Sequence, residues 1–134
     1  MKKLVLFLLF AACFIHCSKE VKEVTEPIPT DLTVLSQGSF TNGVHTVSGL
    51  VKLSKDAAGK KYLVFTDFKT DSGPDLRIWL AEDTSAKNYA EITKTVTNGT
   101  YKLEIASDVD TSKKTYVLVW CKQFTVLFGS AQLK

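Results

Sequence analysis

Thr100-Tyr101-Lys102-Leu103-Glu104-Ile105 places Tyr101, Leu103 and Ile105 on one parity and Lys102 and Glu104 on the other. Successive side chains of a strand point to opposite faces, so this alternation reads as a strand with one face in a core and one in water. A second run, Tyr116-Val117-Leu118-Val119-Trp120-Cys121, has strand length and β-branched and aromatic content, and its Tyr116, Leu118 and Trp120 are expected to supply large side chains to the core.

Outward from these two runs the chain repeats the pattern, with turn residues between apolar segments and no helical period of useful length. Asn42-Gly43 separates Val34 to Thr41 from Val44 to Leu53, and Asn98-Gly99 separates Ile92 to Thr97 from Thr100 to Ile105. Both dipeptides suit a type I′ hairpin, whose central residues need positive φ. Ala58-Gly59-Lys60 precedes Tyr62 to Phe68, Ser72-Gly73-Pro74-Asp75 precedes Leu76 to Ala81, and Lys122-Gln123 joins Tyr116 to Cys121 with Phe124 to Leu133. Roughly eight short strands cannot bury a face as one flat sheet, so the expectation is an all-β domain, a small antiparallel β-sandwich or barrel.

The N-terminal region has a different character. Lys2-Lys3 followed by the apolar run Leu4 to Ile15 reads as a secretory signal, too short to span a membrane as a helix. His16-Cys17-Ser18-Lys19-Glu20 then turns abruptly polar at a cysteine and resembles a bacterial lipoprotein signal, in which an acylated cysteine becomes the first mature residue. Cys13, after Phe10-Ala11-Ala12, is the alternative acylation site, because His16 stands where a small residue is usual. Cys17 is preferred, since a start at Cys13 would leave Phe14 and Ile15 exposed. These features divide the chain into a lipoprotein signal peptide over 1–16, a flexible tether over 17–31 containing Pro27 and Pro29, and a β-domain over 32–134. Several acyl chains, palmitate among them, anchor more firmly than one, because each buried methylene adds about 0.8 kcal/mol. The expected location is the cell envelope, anchored to the outer membrane by lipid on Cys17.

Loss of Lys2 and Lys3 leaves 15 basic against 14 acidic residues, a net charge of +1. With lysines scattered among acids, the chain has no electrostatic footprint for nucleic acid. No nucleophile-elbow pattern, phosphate loop, second mature histidine for a triad or Cys-x-x-Cys-His occurs, so a stand-alone hydrolase, nucleotide enzyme or covalent haem protein is disfavoured.

Gly38-Ser39-Phe40, His45 with Gly49, Phe68 followed by Gly73-Pro74-Asp75-Leu76, and Trp120-Cys121 with Phe124, Phe128 and Ala131 form a longer signature. Together they resemble the DM-thirteen domain family, over about Val34 to Leu133. The resemblance implies a β-rich redox or electron-transfer module, with Cys121 at the family's cysteine, Gly73, Pro74 and Asp75 at its loop and His45 at its histidine. An envelope redox protein would then be the partner; the residues require no cofactor and specify no metal site.

Two accounts of Cys121 stay open: a partly exposed thiolate that forms sulfenic acid or a mixed disulfide, or a small packed hydrophobe. His45 shares parity with Val47, Val51 and Leu53, which predicts a ring on the apolar face; its alternative is a pair with Cys121, activating the thiol or binding a metal. Asp75 either fixes its own loop or joins Asp67 as an oxygen ligand. At the level of function the alternatives are a noncatalytic ligand- or protein-binding module and, more weakly, a metal or haem carrier, with Cys121, His45, Asp75 and Trp120 as the candidate residues.

Overall fold

A computed structural model describes residue 28 and residues 30–134. The segment expected to be a signal peptide, Cys13, Cys17 and most of the expected tether lie outside the described residues. Those described form nine strands and no helix. In chain order these are β1 Thr33–Ser39, β2 Thr41–Asn42, β3 Val47–Lys55, β4 Lys61–Thr70, β5 Leu76–Ala81, β6 Ala90–Thr93, β7 Gly99–Ile105, β8 Tyr116–Cys121 and β9 Val126–Gln132.

The strands make two antiparallel sheets, β1-β3-β4-β7 and β2-β9-β8-β5-β6, which pack as a sandwich around one core. Leu63, Phe65 and Phe68 of β4 and Val51 of β3 meet Ile78 and Leu80 of β5 and Val117, Val119 and Cys121 of β8. Phe65 stacks on Tyr101 with ring centroids 4.8 Å apart, and Phe40 meets Phe68 edge-on at 5.0 Å. Burial of such side chains, each contributing about 1.5–3 kcal/mol, is what holds the sheets together. The sheets are also stitched at one side, where Gln37 and Lys134 exchange backbone hydrogen bonds of 3.0 Å.

The strand expected over Thr100 to Ile105 does face the core with Tyr101, Leu103 and Ile105. For β8 the parity is the reverse of the expected one. Val117, Val119 and Cys121 point between the sheets, while Leu118 packs with Trp79 and Ala81 in a second cluster that Tyr116 and Trp120 join on the outer face. Both parities of this strand are apolar, so alternation within it cannot choose the face.

Neither Asn-Gly dipeptide closes a hairpin. Asn42 belongs to β2, in the sheet opposite β1, and its Oδ1 accepts the Val47 N–H at 2.9 Å. Asn98-Gly99 joins β6 of one sheet to β7 of the other; Gly99 has φ of 125°, and the Asn98 side chain accepts the Thr70 N–H at 2.9 Å. Here Asn serves as a side-chain clamp on a crossing between sheets. The turn after β8 is also longer than expected, spanning 122–125, with Thr125 at φ 55° and Phe124 exposed in the turn instead of opening β9.

Candidate functional site

Strand registers gather most of the candidate residues at one end of the sandwich. Val47 pairs with Thr70 where β3 starts and β4 ends, and Cys121 at the end of β8 pairs with Leu76 and Val126 at the starts of β5 and β9. The 71–75 loop crosses between the sheets here. It sits tightly, since a Cβ on Gly73 would lie 2.9 Å from both the Leu76 and the Phe128 side chains. Any larger residue there would force the ends of the Leu76 and Phe128 side chains to shift.

Cys121 is 0% exposed and free of any disulfide. Its strand parity directs it between the sheets, so the structure places it as a packed thiol and not at the surface. The turn that follows is tied to the loop: the Lys122 N–H donates to the Asp75 carbonyl at 2.9 Å.

His45 lies in the 43–46 connection, ahead of β3, and therefore escapes the parity that predicted a core ring. Its side chain is 42% exposed, its Nδ1 stands 3.4 Å from Asp71 Oδ2, and its ring lies on Phe128 with centroids 3.8 Å apart. Asp71 further secures this corner, because its Oδ2 accepts the Thr46 N–H at 3.1 Å and its own N–H donates to the Thr46 carbonyl at 3.2 Å. Among the described residues no hydrogen bond joins His45 to Cys121, and no group of three or more His, Cys, Asp or Glu is placed to hold a metal ion.

Asp75 fixes its surroundings through its side chain as well. The Arg77 Nε–H donates to Asp75 Oδ1, and this bond, with smaller help from the charges of Arg77, Lys122 and Lys94, holds the Asp75 carboxyl below the usual carboxylate range. Arg77 also donates from Nη1 to Glu91 Oε2 at 3.2 Å, and the Trp79 indole N–H donates to the same oxygen at 3.3 Å. Asp67, the other proposed oxygen ligand, sits instead at the bulge of β4 with φ of 48°, its N–H bonded to Thr100 Oγ1.

An open cleft of about 450 Å³ runs beside the loop, lined by residues from Thr70 to Leu76, with Lys94, Thr95, Val96 and Asn98 across from them. It is a polar cleft with two aspartates, Asp71 and Asp75, and one lysine, Lys94, in its walls, able to receive a small polar ligand or an extended segment of a partner.

Arg77, Glu91, Trp79 and Tyr89 belong to this constellation and were not singled out in the sequence. The available signal was the shared parity of Arg77 and Trp79 in β5, which puts a cation and an indole on the face away from the core. Trp79 stacks on Trp120 with centroids 5.2 Å apart and on Tyr89 at 3.8 Å.

Compared with known proteins, the chain matches over residues 39–133 a family model described as Electron transfer DM13. No curated protein and no solved structure matches it.

Proposed function

Because the chain belongs to the electron-transfer DM13 family, we propose that it is a redox or electron-transfer accessory module of the cell envelope, tethered through a lipid on Cys17, with Cys121 as its redox group. The observation that carries this reading beyond the family is the position of Cys121. It lies in the outermost layer of the core, opposite Leu76, at the one end where the 71–75 loop and the 122–125 turn are joined by a backbone hydrogen bond. The reading requires that displacement of that loop and turn uncover the sulfur while the sheets stay paired.

The chemistry follows from thiol–disulfide exchange. Once uncovered, Cys121 gives its proton to solvent and its thiolate attacks one sulfur of a partner disulfide; a mixed disulfide forms and the other partner sulfur leaves as thiolate. Asp75 and His45 serve as holders of the cover, through Arg77 and Lys122 in one case and Asp71 and Phe128 in the other. Trp120 flanks the cysteine on the opposite face of β8.

Complete burial of Cys121 favours a second reading, a noncatalytic module that binds a small polar ligand or an envelope partner, in which the cysteine is only packing. Alkylation of Cys121 in the 32–134 domain, followed against denaturant and pH with Cys121→Ser and His45→Ala as controls, separates the two. Under the redox reading, labelling proceeds through a local opening, with a rate nearly independent of low denaturant, and His45→Ala accelerates it. Labelling that tracks global unfolding would leave the binding module as the function.

A further inference from the structure

Both tryptophans of the chain and one of its four tyrosines stand in a single column on the outer face of the β2-β9-β8-β5-β6 sheet. Tyr89 lies on Trp79 with centroids 3.8 Å apart at 15°, and Trp79 lies on Trp120 with centroids 5.2 Å apart at 20°. Tyr89 is 48% exposed, whereas Trp79 beneath it is 4% exposed. The column thus runs from solvent, through a desolvated indole, to the residue bonded to Cys121. The remaining aromatic cluster is of another kind: Phe40, Phe65 and Phe68 have no readily oxidised ring, and Tyr101 is held with its hydroxyl buried and without a hydrogen-bond partner. With no hydrogen-bond partner the Tyr101 hydroxyl has no acceptor for the proton it would have to release on oxidation, and burial pushes its phenol up.

Trp79 does have one. Its indole N–H donates to Glu91 Oε2 at 3.3 Å, so the positive charge of an oxidised indole would fall beside a carboxylate that can take or share the N–H proton. Arg77 on the same oxygen holds that carboxylate in place. The exposed Tyr89 phenol can release its proton directly to water.

We propose that Tyr89, Trp79 and Trp120 form a one-electron relay between the protein surface and the Cys121 strand. The inference rests on the electron-transfer reading but not on exposure of the thiol, since stacked rings pass an electron without contact between the end groups. When a one-electron oxidant takes an electron from Trp120, Trp79 refills it and Tyr89 refills Trp79. The sum is one electron from Tyr89 to the oxidant, one proton from the Tyr89 hydroxyl to solvent, a reduced oxidant and a Tyr89 phenoxyl radical, with both indoles restored.

Pulse radiolysis with azide radical as the oxidant tests this on the 32–134 domain carrying Cys121→Ser, so the result is independent of the thiol reading. The expected result is an indolyl radical that decays in step with a phenoxyl rise, first-order and unchanged on dilution. Tyr89→Phe should abolish that slow rise, Tyr62→Phe and Tyr116→Phe should leave it, and Glu91→Gln should slow it. A rise that survives Tyr89→Phe, or one whose rate grows with protein concentration, would overturn the relay. Failure of the alkylation experiment with the relay intact would instead remove only the exchange chemistry of Cys121.

Discussion

At the residue scale, the electrostatics of the candidate end centre on Asp75. Its carboxyl, bonded to Arg77, titrates lower in the folded chain than in the unfolded one. As pH falls the unfolded state therefore takes up this proton first, so the contribution to stability is full above the ordinary aspartate value of about 3.9 and is lost as pH falls through the lower folded value. Urea midpoints measured from neutral to strongly acid pH should decline steeply in that window, and Asp75→Asn should flatten part of the decline while lowering the neutral-pH midpoint. Glu82, Asp83 and Asp110 are shifted in the same direction by their own hydrogen bonds, so a share of the acid slope should survive the substitution. An unchanged slope in Asp75→Asn would mean that the Arg77 pair persists in the unfolded chain.

At the element scale, β3 must bend to keep both its neighbours. Its pairing with β4 slips between Ser48 and Leu50, and Gly49 at that bulge has φ of 112°, with the space for a Cβ only 2.7 Å from the Phe68 Cα. Gly49→Ala combines a strained backbone with a backbone clash and should cost about 1–3 kcal/mol or more, read as a lowered urea midpoint at constant slope. Parity failed for His45 for a simpler reason: Val47, Val51 and Leu53 do share the core, but the strand begins at Val47, after the histidine. Much of the sandwich was legible because β4, β5, β7 and β8 carry apolar residues of the right length between Gly, Pro and Asn signals. Where strands pair could not be read from those signals. An Asn-Gly dipeptide marks a change of direction, but Asn42 and Asn98 spend their side chains on Val47 and Thr70, and the chain crosses between sheets at both. The partners of Cys121 were hidden for a related reason. An all-apolar β8 gives no clue to its face, and the outer cluster around Trp79 and Trp120 competes for the same residues as the core.

At the scale of the whole molecule, the two ends of the sandwich are distinct. The described strands begin at Thr33, which pairs with Lys55, at the end of β3 remote from Val47 and hence from Cys121 and the 71–75 loop. A lipid on Cys17, as proposed, would hold the domain by that remote end. The intervening residues 17–31, fully extended, reach at most about 50 Å, whereas the ten residues of β4 span about 33 Å. The reach exceeds the length of the domain, so the candidate end could meet a partner away from the membrane surface while the anchor stays in place. Among the described residues the core cluster begins at Phe40. Anchoring and folding should therefore separate cleanly. Cys17→Ser in the full-length chain is expected to move the protein from the membrane fraction to the soluble fraction, with Cys13→Ser leaving it membrane-bound. In both variants the melting transition and the Cys121 alkylation rate should match those of the parent. Loss of the membrane fraction in Cys13→Ser alone would shift acylation to Cys13 and lengthen the tether by four residues. A lowered melting temperature in Cys17→Ser would show instead that the anchor segment packs on the sandwich, and the remote end would then be a docking face and not merely the point of attachment.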